Sequence, residues 1–231
     1  MILEVLIDRP TNQATKSLFN GTRVVVAAFG ILCGLTGIIA GFFEILQGNK
    51  APTGFIISTI GPNYSMADDF TYFAITIIPN FLLTGILAII ISCLVIIWSV
   101  KYVHRKYGMI ILLVLSIMQM LVGGGWVIDL ATITCILATR IDKPLNWWRS
   151  HLPNNLRLWL TKILPFSLIG YVIIALNMLV LSILGINNMV LIEIITILAT
   201  VMFIPMMLMI FGGLANDLQK QLIVDLEAET N

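Results

Sequence analysis

The chain has 231 residues, of which 59% are hydrophobic and 11% are charged. Because an ordinary soluble domain carries about 25% charged residues, this composition excludes a water-soluble globular protein and predicts one surrounded by lipid. Lys and Arg total 13 against 12 Asp and Glu, so no net positive charge indicates nucleic acid as a partner. The positions of the charges along the chain are therefore more informative than their sum.

Four stretches are long enough to be membrane helices, since a helix needs about 20 apolar residues to cross the hydrocarbon core. They span residues 24–46, 78–100, 163–184 and 189–214. An amino-terminal segment, 1–23, precedes the first stretch. That stretch is too long for the core of a signal peptide, so we expect it to be retained as a membrane helix.

A fifth apolar run, 109–139, is interrupted by Gly123, Gly124 and Gly125. As one straight helix it would be about 46 Å long, too long for a single crossing without extreme tilt. We therefore predict a helical hairpin that turns at the three glycines. Its arms of about 14 residues leave two alternatives open, two short tilted spans or a re-entrant hairpin.

The distribution of Lys and Arg favours this hairpin, because cytoplasmic loops of membrane proteins carry the excess of positive residues. With five crossings the 13 positive residues divide into six on one side and seven on the other, which gives no asymmetry. With the chain turning back at the glycines and the amino terminus inside, only Lys50 lies outside and the other twelve lie in the cytoplasm. The sequence thus predicts both termini in the cytoplasm, an extracytoplasmic loop at 47–77, a cytoplasmic link at 140–162 and a cytoplasmic tail at 215–231.

Four glycines in the first stretch, Gly30, Gly34, Gly37 and Gly41, recur at spacings of four, three and four residues. They share one face of the helix, where small residues let another helix approach closely. The next position on that face is Glu44, so we expect its carboxyl group to point into the bundle.

Three carboxylates are predicted at membrane depth, Glu44, Asp129 and Glu193. Charged groups there are costly and mark functional sites by default, so we predict an outward-facing site for a cation or for protons. The alternative is that each carboxylate reaches the interface, and that Asp129 and Glu193 complement helix dipoles. Further polar residues are candidates for the lining of such a site: Gln119, Asn177, Thr196 and Thr200.

The link 140–162 mixes aromatic and basic residues in the way typical of an interfacial helix on the inner leaflet. We expect these side chains to contact lipid, including anionic head groups: Trp147, Trp148, Arg149, Arg157, Trp159 and Lys162. Regulation or docking of a partner is the alternative role for this link.

No enzyme motif is recognised, and the spacing of His and Cys indicates no metal site. The sequence therefore predicts no catalytic residue, no metal and no cofactor. A general acid and base pair formed by Glu44 and Asp129 is the least favoured alternative.

Four motifs, FEILQGN from Phe43, IPNFLLTGI from Ile78, VGGG from Val122 and ATRIDKPLNWWRSHLP from Ala138, carry a resemblance that covers most of the chain. In these motifs the chain resembles a family of uncharacterised prokaryotic polytopic membrane proteins. The resemblance implies a multi-pass protein of a prokaryotic cell membrane, and it implies no activity. Glu44 and the glycine turn are among the recurring features.

The sequence as a whole predicts a single all-α membrane domain, 1–231, a polytopic bundle with four full spans and a central short hairpin. The predicted function is a small permease or channel-like protein with an acidic cation or proton site. The alternative is an accessory or sensory subunit that binds a membrane protein partner, or a second copy of itself, through small-residue helix faces.

Overall fold

The structure is a computed structural model and describes residues 20–52, 54–58, 73–125, 128–141, 143–184 and 189–230. The predicted amino-terminal segment 1–23 therefore lies largely outside the described residues, as do residues 53 and 59–72 of the predicted loop 47–77. The side chain of Asp129 also lies outside them, although its backbone belongs to a helix.

Seven helices and one small sheet make up the described part of the chain. In chain order they are α1 (Gly21–Gln47), β1 (Ile56–Ser58), β2 (Phe73–Ile75), α2 (Phe81–Ile97), α3 (Gly108–Leu121), α4 (Ile128–Ala138), α5 (Asn146–His151), α6 (Asn154–Leu184) and α7 (Met189–Thr230). A turn of wider π-helix, Trp98–Tyr102, continues α2.

The fold is mainly helical, as predicted, and four of these helices are long and apolar enough to cross a membrane. They cover Gly21–Gln47, Phe81–Tyr102, Asn154–Met178 and Thr196–Glu229. Helix α3 is also apolar but has only 14 residues, about 21 Å at 1.5 Å per residue.

Helix α2 begins three residues later than its apolar stretch, because Asn80 caps it. The Asn80 side chain accepts a hydrogen bond from the backbone N–H of Leu83 at 3.1 Å. A capping Asn satisfies one of the N–H groups that have no partner in the first turn of a helix. The local start of α2 thus follows the capping residue rather than the hydropathy of the stretch.

Helices α6 and α7 both extend beyond the apolar stretches that predicted them. Helix α6 begins at Asn154, inside the predicted link 140–162, and the rest of that link contains the short helix α5. Helix α7 runs without interruption over 42 residues, so the predicted tail 215–231 continues the last apolar helix. At about 63 Å, α7 is twice as long as a hydrocarbon core is thick.

A two-stranded antiparallel sheet, which was not predicted from the sequence, is formed by the part of the chain that connects α1 to α2. Ile56 pairs with Ile75 and Ser58 pairs with Phe73. Strands of three residues are too short to show a clear alternation of polar and apolar residues. The all-α prediction is therefore right for the long helices and misses this sheet.

Helix α1 occupies the centre of the bundle and packs against α2, α4, α6 and α7. Phe29 of α1 meets Tyr171 of α6 edge to face, with ring centroids 5.3 Å apart. Both side chains are buried in the main apolar cluster, together with Cys33 and Met209. The large side chains of α1 thus face α6 and α7, while Gly30, Gly34, Gly37 and Gly41 face α2 and its π-helical continuation.

Helices α3 and α4 form a hairpin at the three glycines. Cys135, near the end of α4, lies with its sulfur atom 4.0 Å from the carbonyl oxygen of Met109, at the beginning of α3, so the two helices are antiparallel. Gly123 and Gly125 adopt positive φ angles of 88° and 82°, which side chains other than hydrogen disfavour. These glycines supply the backbone conformations that reverse the chain.

Candidate functional site

Glu44 is buried in the last turn of α1, on the same face as the glycines. Its side chain has a relative exposure of 0%. Neither of its carboxyl oxygens has a hydrogen-bond partner among the described residues. An unpaired polar group in a protein interior costs free energy, and a charged one costs far more, so this arrangement requires an explanation beyond packing.

The glycine turn lies directly against the carboxyl group of Glu44. A Cβ atom at Gly123 would overlap both carboxyl oxygens and would approach the methyl carbon of Thr84 to 2.6 Å. Gly123 therefore lacks a side chain at the one place where the backbone of the hairpin meets Glu44. Any larger residue would displace either the turn or the carboxyl group.

Strand β2 and the residues after it hold the glycine turn in place. The N–H of Gly123 donates to the carbonyl oxygen of Ile75 at 2.9 Å, and the N–H of Ile77 donates to the carbonyl oxygen of Leu121 at 3.1 Å. The small sheet is thereby joined to the hairpin, and together they close the bundle over Glu44.

Two threonine hydroxyls form a buried pair beside the turn. The Oγ1 atoms of Thr76 and Thr84 are 2.8 Å apart, and both side chains are buried. Thr76 Oγ1 also accepts a hydrogen bond from the N–H of Ile78 at 3.1 Å. Sequence reasoning missed this pair, although a threonine within an apolar stretch, such as Thr84, is a signal that can be read from the chain.

A second group of buried polar atoms surrounds Gln119 on α3. Its Nε2 donates to the carbonyl oxygen of Cys33 at 2.7 Å, while its Oε1 has no partner among the described residues, as is also true of Ser92 Oγ. Gln119 and Ser92 are both fully buried. The predicted lining residue Gln119 thus lies inside the bundle, and Ser92 is a further polar residue that the sequence analysis did not select.

The other predicted polar residues lie elsewhere. Glu193, Thr196 and Thr200 have exposed side chains on α7. Asn177 is exposed on α6 and donates from Nδ2 to the carbonyl oxygen of Ile173, one turn back in its own helix, at 2.8 Å. The structure places Glu44 and Gln119 in the interior and these four residues on the surface of the single chain.

No positive charge compensates Glu44 within the described residues. The ion pair found there, between Arg149 and Asp225 at 2.8 Å, is exposed and lies on α5 and α7. The same part of the chain contains no group of three or more His, Cys, Asp or Glu side chains arranged to hold a metal ion. Glu44 is therefore a single carboxyl group among neutral neighbours.

Asp217 of α7 is a second buried carboxylate, at the opposite end of α1, and the sequence analysis missed it. Its two oxygens accept hydrogen bonds from the N–H groups of Gly21 at 2.6 Å and Thr22 at 3.1 Å. It thus caps the first turn of α1, where a negative charge is favoured by the helix dipole. Beside it lies a cavity of about 290 Å³, lined in part by Arg140 and Lys220.

The residues predicted to contact lipid divide into exposed and partly buried side chains. Trp147, Arg149, Trp159 and Lys162 are exposed, whereas Trp148 and Arg157 are partly buried. Trp148 packs against Phe211 of α7, with ring centroids 5.8 Å apart. Trp148 therefore contributes to the contact between α5 and α7.

Comparison with known proteins identifies no relative: no family model, no curated protein and no solved structure matches this chain. The function of this protein is therefore inferred from the chemistry of the buried carboxyl group. The features that bear on it are the burial of Glu44, the glycine turn against it and the neutral polar groups beneath it.

Proposed function

We propose that this chain is a small permease or channel-like membrane protein that handles a cation or protons at Glu44. The observation that carries the proposal is the burial of this carboxyl group without a hydrogen-bond partner in the described structure. Ionisable groups at membrane depth are rare and costly, and they are characteristic of ion pathways and proton relays.

A purely structural role explains Glu44 poorly. The residue lies three positions before the end of α1, where the negative end of the helix dipole disfavours a carboxylate. Asp217, by comparison, is hydrogen-bonded at the first turn of the same helix, where a carboxylate is favoured. The contrast supports a functional reason for the carboxyl group of Glu44.

The topology we propose places both termini in the cytoplasm, four full spans in the membrane and the α3–α4 hairpin between the second and third of them. The support is the positive-inside rule, which leaves only Lys50 outside. Glu44 then lies close to the outer surface, under the glycine turn and the small sheet. This topology belongs to a multi-pass protein of a prokaryotic cell membrane, surrounded by lipid and with anionic head groups near the 140–162 link.

The alternative function, an accessory or sensory subunit, requires a free small-residue face for a membrane protein partner or a second copy. The glycine face of α1 is already covered, since a Cβ at Gly34 or Gly41 would meet atoms of α2. This observation favours the permease over the accessory subunit.

The test is ion flux into proteoliposomes that contain the full chain, with Glu44→Gln as the main variant. We expect this substitution to reduce flux at least ten-fold, because it removes the charge and keeps the shape of the side chain. Glu193→Gln is the matched control, since Glu193 is exposed on the single chain, and it should retain wild-type flux. Asp129→Asn tests whether the second predicted carboxylate contributes.

Equal flux from the wild type and the Glu44 variant would rule out transport through this residue. Equal losses from Glu44→Gln and Glu193→Gln would instead support the site of several carboxylates predicted from the sequence.

A further inference from the structure

Four buried oxygen atoms lack a hydrogen-bond partner in the described part of this region. They are Oε1 and Oε2 of Glu44, Oε1 of Gln119 and Oγ of Ser92, and each of the three side chains has a relative exposure of 0%. Leaving a buried acceptor unsatisfied costs about 1–3 kcal/mol. Three neighbouring side chains with such atoms therefore indicate a site that takes a ligand.

The glycines connect these three side chains to one another. The Cβ position of Gly123 meets the carboxyl oxygens of Glu44, and that of the next residue, Gly124, meets the Cγ of Gln119. The Cβ position of Gly37 meets both Gln119 Nε2 and Ser92 Oγ. The glycine turn thus borders both Glu44 and Gln119, and Gly37 borders both Gln119 and Ser92, so the three side chains follow one another along the interface of α1 with α2 and the turn.

The chemistry of this region restricts what it holds. All its unpaired atoms are oxygens, the donor type that hard cations prefer. Only one of the three side chains, Glu44, is acidic, and it forms no ion pair within the described residues. The methyl carbon of Thr84 lies against the same glycine, Gly123. One carboxylate is neutralised by one positive charge, whereas a divalent ion would leave a net buried charge, which is costly.

We infer that the site at Glu44 takes a single monovalent cation, a proton or an alkali ion, with Gln119 and Ser92 as neutral oxygen ligands, and that it rejects divalent ions. The inference rests on the proposed function and specifies its substrate class. It also adds Ser92 to the residues of the site.

The test measures how fast dicyclohexylcarbodiimide, a hydrophobic reagent for carboxyl groups, modifies Glu44 in the purified full chain, with mass spectrometry as the readout. Protection of Glu44 against modification is compared in sodium, potassium, magnesium and calcium chloride, with choline chloride added to keep the ionic strength constant. In a second series, without these ions, the rate of modification is measured as a function of pH. If the ligand is an alkali ion, sodium or potassium should slow the reaction at least five-fold. If it is a proton, only rising pH should do so.

If the ligand is an alkali ion, Ser92→Ala and Gln119→Leu should each raise the ion concentration that gives half-maximal protection at least ten-fold. If it is a proton, each substitution should shift the midpoint pH of the reaction by at least one pH unit. Ser116→Ala is the matched control, because Ser116 is buried but its hydroxyl donates to the carbonyl oxygen of Leu112 at 2.9 Å. This control should leave the protection unchanged.

Protection by magnesium or calcium equal to that by the monovalent ions would overturn the inference, as would a Glu44 that is unreactive. Because carbodiimides react with the protonated form of carboxyl groups in general, a pH dependence that is the same in the wild type, Ser92→Ala and Gln119→Leu, without protection by ions, would also overturn it. Labelling requires no transport, so the two proposals fail separately. Monovalent protection without flux would leave a binding site in a protein that is not a permease. Divalent flux abolished by Glu44→Gln would keep the permease and refute the substrate class.

Discussion

Gly123 determines how closely the backbone approaches the buried carboxyl group. Its φ angle of 88° and its contact with Glu44 are separate requirements for glycine. Gly125 shares the first requirement, with a φ angle of 82°, but no described residue other than its chain neighbours has an atom within 4 Å of its Cβ position. The two residues therefore allow the strain of the turn to be separated from the geometry of the site.

We predict that Gly123→Ala and Gly125→Ala cost a similar free energy of unfolding, about 1–3 kcal/mol for the unfavourable backbone conformation. Only Gly123→Ala should also displace Glu44 and reduce flux, by about ten-fold. Thermal unfolding in detergent and proteoliposome flux measure the two effects. Equal flux from both variants would show that the turn does not control the carboxyl group.

Asp217 stabilises the opposite end of α1 by holding two of its free N–H groups. We predict that Asp217→Ala lowers the free energy of unfolding by about 1 kcal/mol, the usual cost of losing a helix cap. The control is Asp225→Ala, which removes the exposed ion pair with Arg149 and should have little effect. Equal stability of the two variants, measured by thermal unfolding, would contradict the capping role.

At the scale of the elements, the contact between α1 and α2 depends on the absence of side chains. A Cβ at Gly41 would lie 2.6 Å from the carbonyl oxygen of Gly85 and 3.1 Å from the Cβ of Ala88. Backbone atoms cannot move aside without separating the helices. The glycines of α1 are therefore needed for packing, even though glycine is a poor residue for a helix interior.

We predict that Gly41→Ala destabilises the protein by about 1–3 kcal/mol, because it overpacks this contact. Gly170→Ala in α6 is the matched control, since, apart from the backbone of its own helix and its chain neighbours, no described residue has an atom within 4 Å of its Cβ position. That substitution should raise stability by up to about 1 kcal/mol through helix propensity. A stabilising effect of both substitutions in thermal unfolding would show that α1 and α2 do not pack as described.

At the scale of the whole molecule, the proposed orientation leads to a prediction about access from the two sides of the membrane. In a Cys93→Ser background, Ser150→Cys should react with a membrane-impermeant thiol reagent only from the cytoplasm, and Lys50→Cys only from outside. Both positions are exposed. Labelling of Ser150→Cys from outside intact cells would invert the orientation and place Glu44 near the cytoplasm.

The sequence by itself indicated a protein surrounded by lipid, and it located the long helices and the residues of the glycine turn. Hydropathy and helical periodicity are properties of local stretches, and so the inward face that carries Gly30, Gly34, Gly37, Gly41 and Glu44 could be predicted without knowing what packs against it. The limits of local reading appear at Asn80, where a cap rather than hydropathy sets the start of α2.

Only the tertiary structure decided which polar groups meet. Glu44 and Gly123 are far apart in the chain and come into contact because α1, α2 and the hairpin pack together. For the same reason Glu193 could be assigned to the interior from its position in an apolar stretch, while its side chain is exposed. Long-range contacts such as that of Asp217 with Gly21 leave no local signal, because the energy that selects them comes from packing between distant segments.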